Sequence, residues 1–176
     1  IHFSPVEDRH LPDCDGLLLG GGYPELYAEK LEANAQMRKE IRKAVQSGLP
    51  TIAECGGFMY LCRSIAGHAM CGVFDTEVEN KGKLTRFGYA SVRAQRENLL
   101  LAPGMSVKGH EFHYWDAEDP GDALKACKPN GKTWRCGYVS GSLYAGYPHL
   151  YLPSCPGAAE RFARKCLEYR RRRTAK

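Results

Sequence analysis

The stretch of the sequence best equipped for chemistry is Ala53-Glu54-Cys55-Gly56-Gly57. A β-prone run, Thr51-Ile52-Ala53, stops there and a helical pattern begins, so the cysteine falls on a sharp strand-to-helix turn. A nucleophile on such a turn needs small residues two places before and two places after it, because the backbones crowd. Ala53 and Gly57 meet that demand. The corner aims Cys55 into the crevice at the carboxyl end of the sheet, where the following helix N-terminus favours a thiolate and the Gly56 N–H can meet an oxyanion. The same five residues also fit a structural cysteine ahead of a glycine-rich helix start. Gly20-Gly21-Gly22 ends the apolar run Asp15 to Leu19 and falls at the same edge of the sheet. Its glycines let backbone N–H groups come close to a ligand, which suits the other half of an oxyanion hole; a flexible turn is the plainer reading. Neither Gly-x-Gly-x-x-Gly nor a Walker Lys-Ser/Thr follows, which argues against a phosphate-binding loop.

A thiol nucleophile works with a base that is distant in sequence and near in space. Of the histidines, His149, which ends an apolar strand 94 residues after Cys55, and His113 are the candidates, and spacing alone does not choose between them. His110-Glu111-Phe112-His113 is one residue short of a zincin motif. In a strand its two histidines point to opposite faces, so no metal is assigned there. The eight cysteines (14, 55, 62, 71, 127, 136, 155 and 166) contain no Cys-x-x-Cys pair, and no signal-peptide pattern precedes them. Most are expected as buried, reduced thiols of a cytoplasmic protein.

The elements that must hold these residues read as α/β. Strands at Asp15–Leu19 and Thr51–Ala53 alternate with helices, one capped by Asn34 and carrying Met37, Ile41, Ala44 and Val45. Another places Phe58, Leu61, Cys62 and Ile65 on one face and closes at Gly67. That alternation predicts a doubly wound, mostly parallel sheet. From about Cys71 to Tyr151 the helical period fades, and runs such as Phe87–Val92 and Tyr138–Leu152 predict added antiparallel strands. A last helix begins near Pro156 with Ala159, Phe162, Ala163, Cys166 and Leu167 as its apolar face. The formal charge is +5, but Arg170–Arg173 and Lys176 account for all of it, and the rest of the chain is balanced. A solvated basic tail over 170–176 is expected rather than a nucleic-acid arm. No apolar run approaches the ~18 residues of a membrane span.

Three longer segments carry a resemblance. Leu19-Gly20-Gly21-Gly22-Tyr23-Pro24-Glu25, Ala53-Glu54-Cys55-Gly56-Gly57-Phe58-Met59-Tyr60-Leu61 and Gly109-His110-Glu111-Phe112-His113-Tyr114 resemble the signature segments of the glutamine amidotransferase domain of cobyrinic acid a,c-diamide synthases. Phe3-Ser4-Pro5 with Asp8, and Tyr147-Pro148-His149-Leu150, are similar to that family too. Phe58-Met59-Tyr60 and His110 favour it over the cobyric acid synthases. The nickel-sirohydrochlorin diamide synthases share the motifs.

The resemblance implies a class I glutamine amidotransferase-like fold with a flavodoxin-like core over residues 1–169. It implies Cys55 as nucleophile, His149 as base and then acid, and Gly21, Gly22 and Gly56 around the oxyanion and glutamine. In the wider superfamily a glutamate two residues after the histidine orients it; Tyr151 stands there, and no third member is named. The resemblance also implies no cofactor on this chain, with ATP and Mg²⁺ on an N-terminal synthetase domain that also binds the tetrapyrrole acceptor. The family's strand and helix ahead of the Phe-Ser-Pro segment are expected to be missing here. Homo-oligomerisation is left open. Two other readings are a non-catalytic amidotransferase-like binding module, which the presence of Cys55 disfavours, and a PfpI-type cysteine hydrolase, which does not explain Gly109–Tyr114.

Overall fold

The computed structural model describes residues 1–175. The first half runs β1 (Leu17–Leu19), a 3₁₀ turn (Pro24–Tyr27), α1 (Ala28–Ala33), α2 (Ala35–Gln46), β2 (Thr51–Glu54) and α3 (Gly56–Leu61). Short strands follow: β3 (Ser64–Ile65), β4 (His68–Ala69) and β5 (Glu77–Asn80). The second half is β6 (Arg86–Ala94), β7 (Ser106–His113), β8 (Trp115–Ala117), β9 (Leu124–Cys127), β10 (Thr133–Cys136), β11 (Tyr138–Val139), β12 (Leu143–Gly146) and β13 (His149–Tyr151). A final helix, α4, spans Pro156–Thr174.

Asn34 caps α2 as expected. Its side chain accepts the Met37 N–H at 3.4 Å and donates to the carbonyls of Pro5 and Asp8, both at 2.8 Å, so one residue ties the N-terminal loop to the helix start. Met37, Ile41 and Val45, four residues apart, are the buried stripe of that helix. Burial of each is worth roughly 1.5–3 kcal/mol.

Strands β1 and β12 flank β2 and run parallel to it, and β11 adds an antiparallel edge, giving the order β1-β2-β12-β11. The stretch Tyr138–Leu152, expected to be antiparallel, is therefore divided. β12 joins the parallel sheet, and the long chain between it and β2 permits the crossover that parallel pairing demands. A second, wholly antiparallel sheet has the order β10-β9-β6-β7-β13, and a small sheet is ordered β4-β3-β5-β8. One core lies around Phe58, Leu61, Ile41 and Met37. The other lies between the two larger sheets around Val92, Leu99, Leu124 and Tyr144.

Two helical expectations are corrected. α3 stops at Leu61, and Cys62 is extended at ψ 174°. Ile65 lies instead in a hairpin whose two turn residues, Ala66 (φ 50°) and Gly67 (φ 80°), both have positive φ. Phe58, Leu61, Cys62 and Ile65 are all buried, so their spacing carried no amphipathic contrast to mark the helix end. On α4 the contact stripe is Ala158, Phe162, Cys166 and Tyr169; Ala159 and Ala163 are exposed, and Leu167 is 54% exposed. The predicted face was set one residue too far round the helix. The basic run is exposed but is not a separate tail: Arg170–Arg173 continue α4, and Arg173 pairs with Asp13 and, at 3.1 Å, Asp15. Positive charge at a helix C-terminus also suits the macrodipole. Lys176 lies outside the described residues. Among the described residues no helix is long and apolar enough to cross a membrane.

These burial differences predict that Ile41→Ala, at a fully buried position, costs about 2–5 kcal/mol, whereas Leu167→Ala costs less than about 0.5 kcal/mol. Urea unfolding of the two variants checks both values, and an equal loss at Leu167 would restore the face read from sequence.

Candidate active site

The corner between β2 and α3 is built as its residue types require. Cys55 has φ 50° and ψ −106°, a left-handed conformation that a non-glycine residue adopts only under constraint. The constraint is visible on both sides. The Cys55 N–H donates to Gly146 O at 2.8 Å, extending the β12 ladder, and its carbonyl accepts the Met59 N–H at 2.9 Å, opening α3. A Cβ at Gly57 would collide with the Leu19 carbonyl, so the helix can sit this close to β1 only with glycine there. Gly56 packs against the backbone of Gly22, which brings the glycine loop and the helix start together. Cys55 is 7% exposed and lines a cleft of about 340 Å³ with Gly22, Glu25, Met59, Asn80 and His113. Desolvation raises the Glu25 carboxyl above the usual carboxylate range.

His149 reaches the same place from the antiparallel sheet. β13 pairs with β7, His149 opposite His110, and the two rings stack at 4.8 Å and 15°. The link from β12 is only Tyr147-Pro148, held by a hydrogen bond from the Tyr144 hydroxyl to Pro148 O at 2.8 Å. Gly21 abuts the imidazole so closely that any Cβ there would strike the ring. The Cys55 side chain and then Glu54 raise His149 to about 10, and burial opposes them. His149 therefore holds a proton at neutral pH.

Sequence spacing left His113 level with His149, and the two have different surroundings. His113 is buried and stacked on Tyr147 at 3.9 Å. Both its ring nitrogens are engaged, Nδ1 by Trp115 O at 2.8 Å and Nε2 by Glu111 Oε2 at 3.2 Å. As expected of a strand, His110 and His113 face opposite sides of β7. The eight cysteines are all free. Burial pushes the Cys71 and Cys136 thiols up to about 12 and Cys62 higher still.

Two carboxylates at the site were not singled out from the sequence. Glu54 accepts the Leu150 N–H on Oε1 at 2.9 Å and places Oε2 3.7 Å from His149 Nδ1. Its position directly before the nucleophile was the available signal. Glu111, 3% exposed, is met by Trp134 Nε1 at 3.2 Å, His113 and Arg86 Nε at 3.6 Å. Only the strand alternation of β7 could have placed it indoors.

A cysteine on a strained strand–helix corner, beside a histidine and a glycine-rich backbone, is an arrangement able to support cysteine-dependent acyl transfer on an α/β fold. The fold is that of glutamine amidotransferases: a solved glutamine amidotransferase superimposes with a TM-score of 0.57 at 19% identity, over 86% of this chain and 79% of the other. Residues 1–155 match the CobB/CobQ-like glutamine amidotransferase domain, and the chain belongs to that family. The cobyrinate a,c-diamide synthase of Caldanaerobacter subterraneus subsp. tengcongensis is 39% identical over 98% of this chain and 40% of its own length. The hydrogenobyrinate a,c-diamide synthase of Streptomyces coelicolor is 38% identical over 94% of the chain and 34% of its own length. The chain thus spans about two fifths or less of these relatives.

The histidine's charge yields a pH prediction. A folded-state value near 10 exceeds the unfolded 6.5, so the stability gained from the charged ring is fully present below pH 6.5 and is lost as pH rises through about 10. The gap in Tm between the parent and His149→Ala should therefore be widest near pH 6 and narrow above pH 10. A gap that does not change with pH in thermal unfolding would show that the ring is not held in its charged form.

Proposed function

We propose that this chain is the glutamine-hydrolysing part of an ATP-dependent a,c-diamide synthase of cobalamin biosynthesis. The observation that carries the reading is the meeting of Cys55 with His149, with Gly21 against the imidazole and Gly22 packed on Gly56 beside the cysteine. Cys55 Sγ, as the thiolate whose proton resides on His149, attacks the side-chain carbonyl carbon of glutamine. The N–H groups of Gly56 and the glycine loop hold the oxyanion. His149 gives its proton to the leaving nitrogen, so ammonia departs and a γ-glutamyl thioester remains. Water, deprotonated by His149, then attacks the thioester and releases glutamate. Glu25 lines the cleft as an acceptor for the α-ammonium of the substrate, whose charge would offset the desolvation that raises this carboxyl.

Ammonia is then transferred to the a and c acetate carboxylates of a tetrapyrrole. ATP and Mg²⁺, which would activate those carboxylates, belong to a part of the synthase outside these 176 residues. The names of the relatives support a cobyrinate or hydrogenobyrinate acceptor. A nickel-sirohydrochlorin acceptor is the alternative that shares the motifs.

In the complete enzyme Cys55→Ala should abolish glutamine-dependent amidation and spare amidation driven by added ammonium. Retained glutamine use would refute the nucleophile. His149→Ala should slow glutamine hydrolysis at least ~10²-fold, the scale of positioned proton transfer, while His113→Ala leaves thioester formation in single-turnover experiments largely intact. The opposite ranking would exchange the two histidines.

A further inference from the structure

The contact between Glu54 and His149 bears on a gap in the site. The strand that carries His149 offers no carboxylate to orient it: the residue two places on is Tyr151, which is 61% exposed. Glu54 comes instead from the end of β2, one residue before the nucleophile. Its two oxygens divide their work. Oε1 accepts the backbone N–H of Leu150 at 2.9 Å, and Oε2 faces His149 Nδ1 at 3.7 Å, an ion-pair separation. One carboxylate thus grips both the backbone and the ring of β13 from the strand that carries Cys55. Among the described residues it is the only acidic group paired with His149. With 20% of its side chain exposed, Glu54 has left most of its water, and a carboxylate so placed needs a compensating charge or donor.

We propose that Glu54 is the positioning carboxylate of the Cys55–His149 pair, supplied by the nucleophile's own strand rather than by the histidine's. The proposal rests on reading Cys55 and His149 as the reacting pair. With Nδ1 turned to Glu54, Nε2 is the nitrogen left to exchange protons with the thiol and with the departing ammonia. The short link across the corner also explains how a strand of three residues, β13, can fix a ring: its backbone is hydrogen-bonded at Leu150 while the ring is drawn by charge at Nδ1. The other titratable groups around His149 are Cys55 at the corner, His110 and Lys108 on β7, Tyr89 on β6 and Tyr151 on β13. None of them is a carboxylate.

Glu54→Gln in the complete protein separates charge from structure, since its amide oxygen can still accept the Leu150 N–H. The turnover number for glutamine should fall about 10- to 100-fold with KM little changed, a loss smaller than the ~10⁴-fold seen where an orienting carboxylate is fully engaged. The NMR titration of the His149 imidazole should move down by about one unit or more, the scale expected on removing an opposite charge at this range. A purely structural role would move neither. Cys55→Ala, with Glu54 intact, gives a second measurement that does not depend on the Glu54 variant folding: His149 should still titrate clearly above an ordinary histidine. Unchanged titration in Glu54→Gln, or an ordinary value in Cys55→Ala, overturns the proposal. Absence of glutamine hydrolysis in the unsubstituted protein would instead overturn the functional reading, and the titrations would still decide the role of Glu54.

Discussion

The site depends on a backbone conformation that Cys55 would not choose. At φ 50° the residue is strained, and the strain persists because hydrogen bonds fix the corner from both sides, one from β12 and one from the first turn of α3. Everything nearby is fitted to that corner. α3 must leave β2 at once, so it passes within contact of β1, and only a residue without a side chain fits at position 57. The glycine loop after β1 is drawn against Gly56 by the same closeness. The backbone donors proposed for the oxyanion are thus consequences of the corner's geometry and need no separate scaffold.

The histidine is delivered by another route. β12 belongs to the parallel sheet and β13 to the antiparallel one, with two residues between them. The chain therefore changes sheets immediately before His149, which places this residue where the two sheets meet. Cys55 is fixed by the β2–β12 ladder and His149 by the β7–β13 ladder, so their separation is set by how the sheets pack. Tyr144, fully buried between the sheets and bonded to Pro148 O, fills that junction. Glu54 crosses the same junction with a charged side chain.

Much of this was legible in the sequence, because local chemistry dictated it. The Asn34 cap, the β1 and β2 runs with their glycine endings, and the small–x–Cys–x–small corner each rest on sterics or a hydrogen bond within a few residues. What the sequence did not disclose depends on non-local partners. β12 is parallel because of what lies beside it, and nothing in Leu143–Gly146 records that neighbour. α3 ends early because burial on all sides erased its amphipathic period. The α4 stripe was misplaced because alanine and leucine occur on both sides of the true contact line. Glu54 was visible only as a motif letter, its partners lying about ninety-five residues away in a different sheet.

β7 carries this reasoning one step further. Its exposure alternates strictly, and the alternation sends Glu111 and His113 inward, where apolar residues are the rule. A buried carboxylate is costly unless its lone pairs are met, and here Trp134, His113 and Arg86 converge on it from three strands. Such a network offers little net stability over an apolar core, but it is intolerant of displacement. A slip of one residue in β7 would carry Glu111 out and His110 in, leaving Trp134 and Arg86 without their acceptor. β13 takes its own register from β7, with His149 opposite His110. The position of His149 relative to Cys55 is therefore inherited from a register that the buried Glu111 network holds in place, and polar burial next to the cleft is the means by which a flat ladder of backbone bonds is made to fix one side chain.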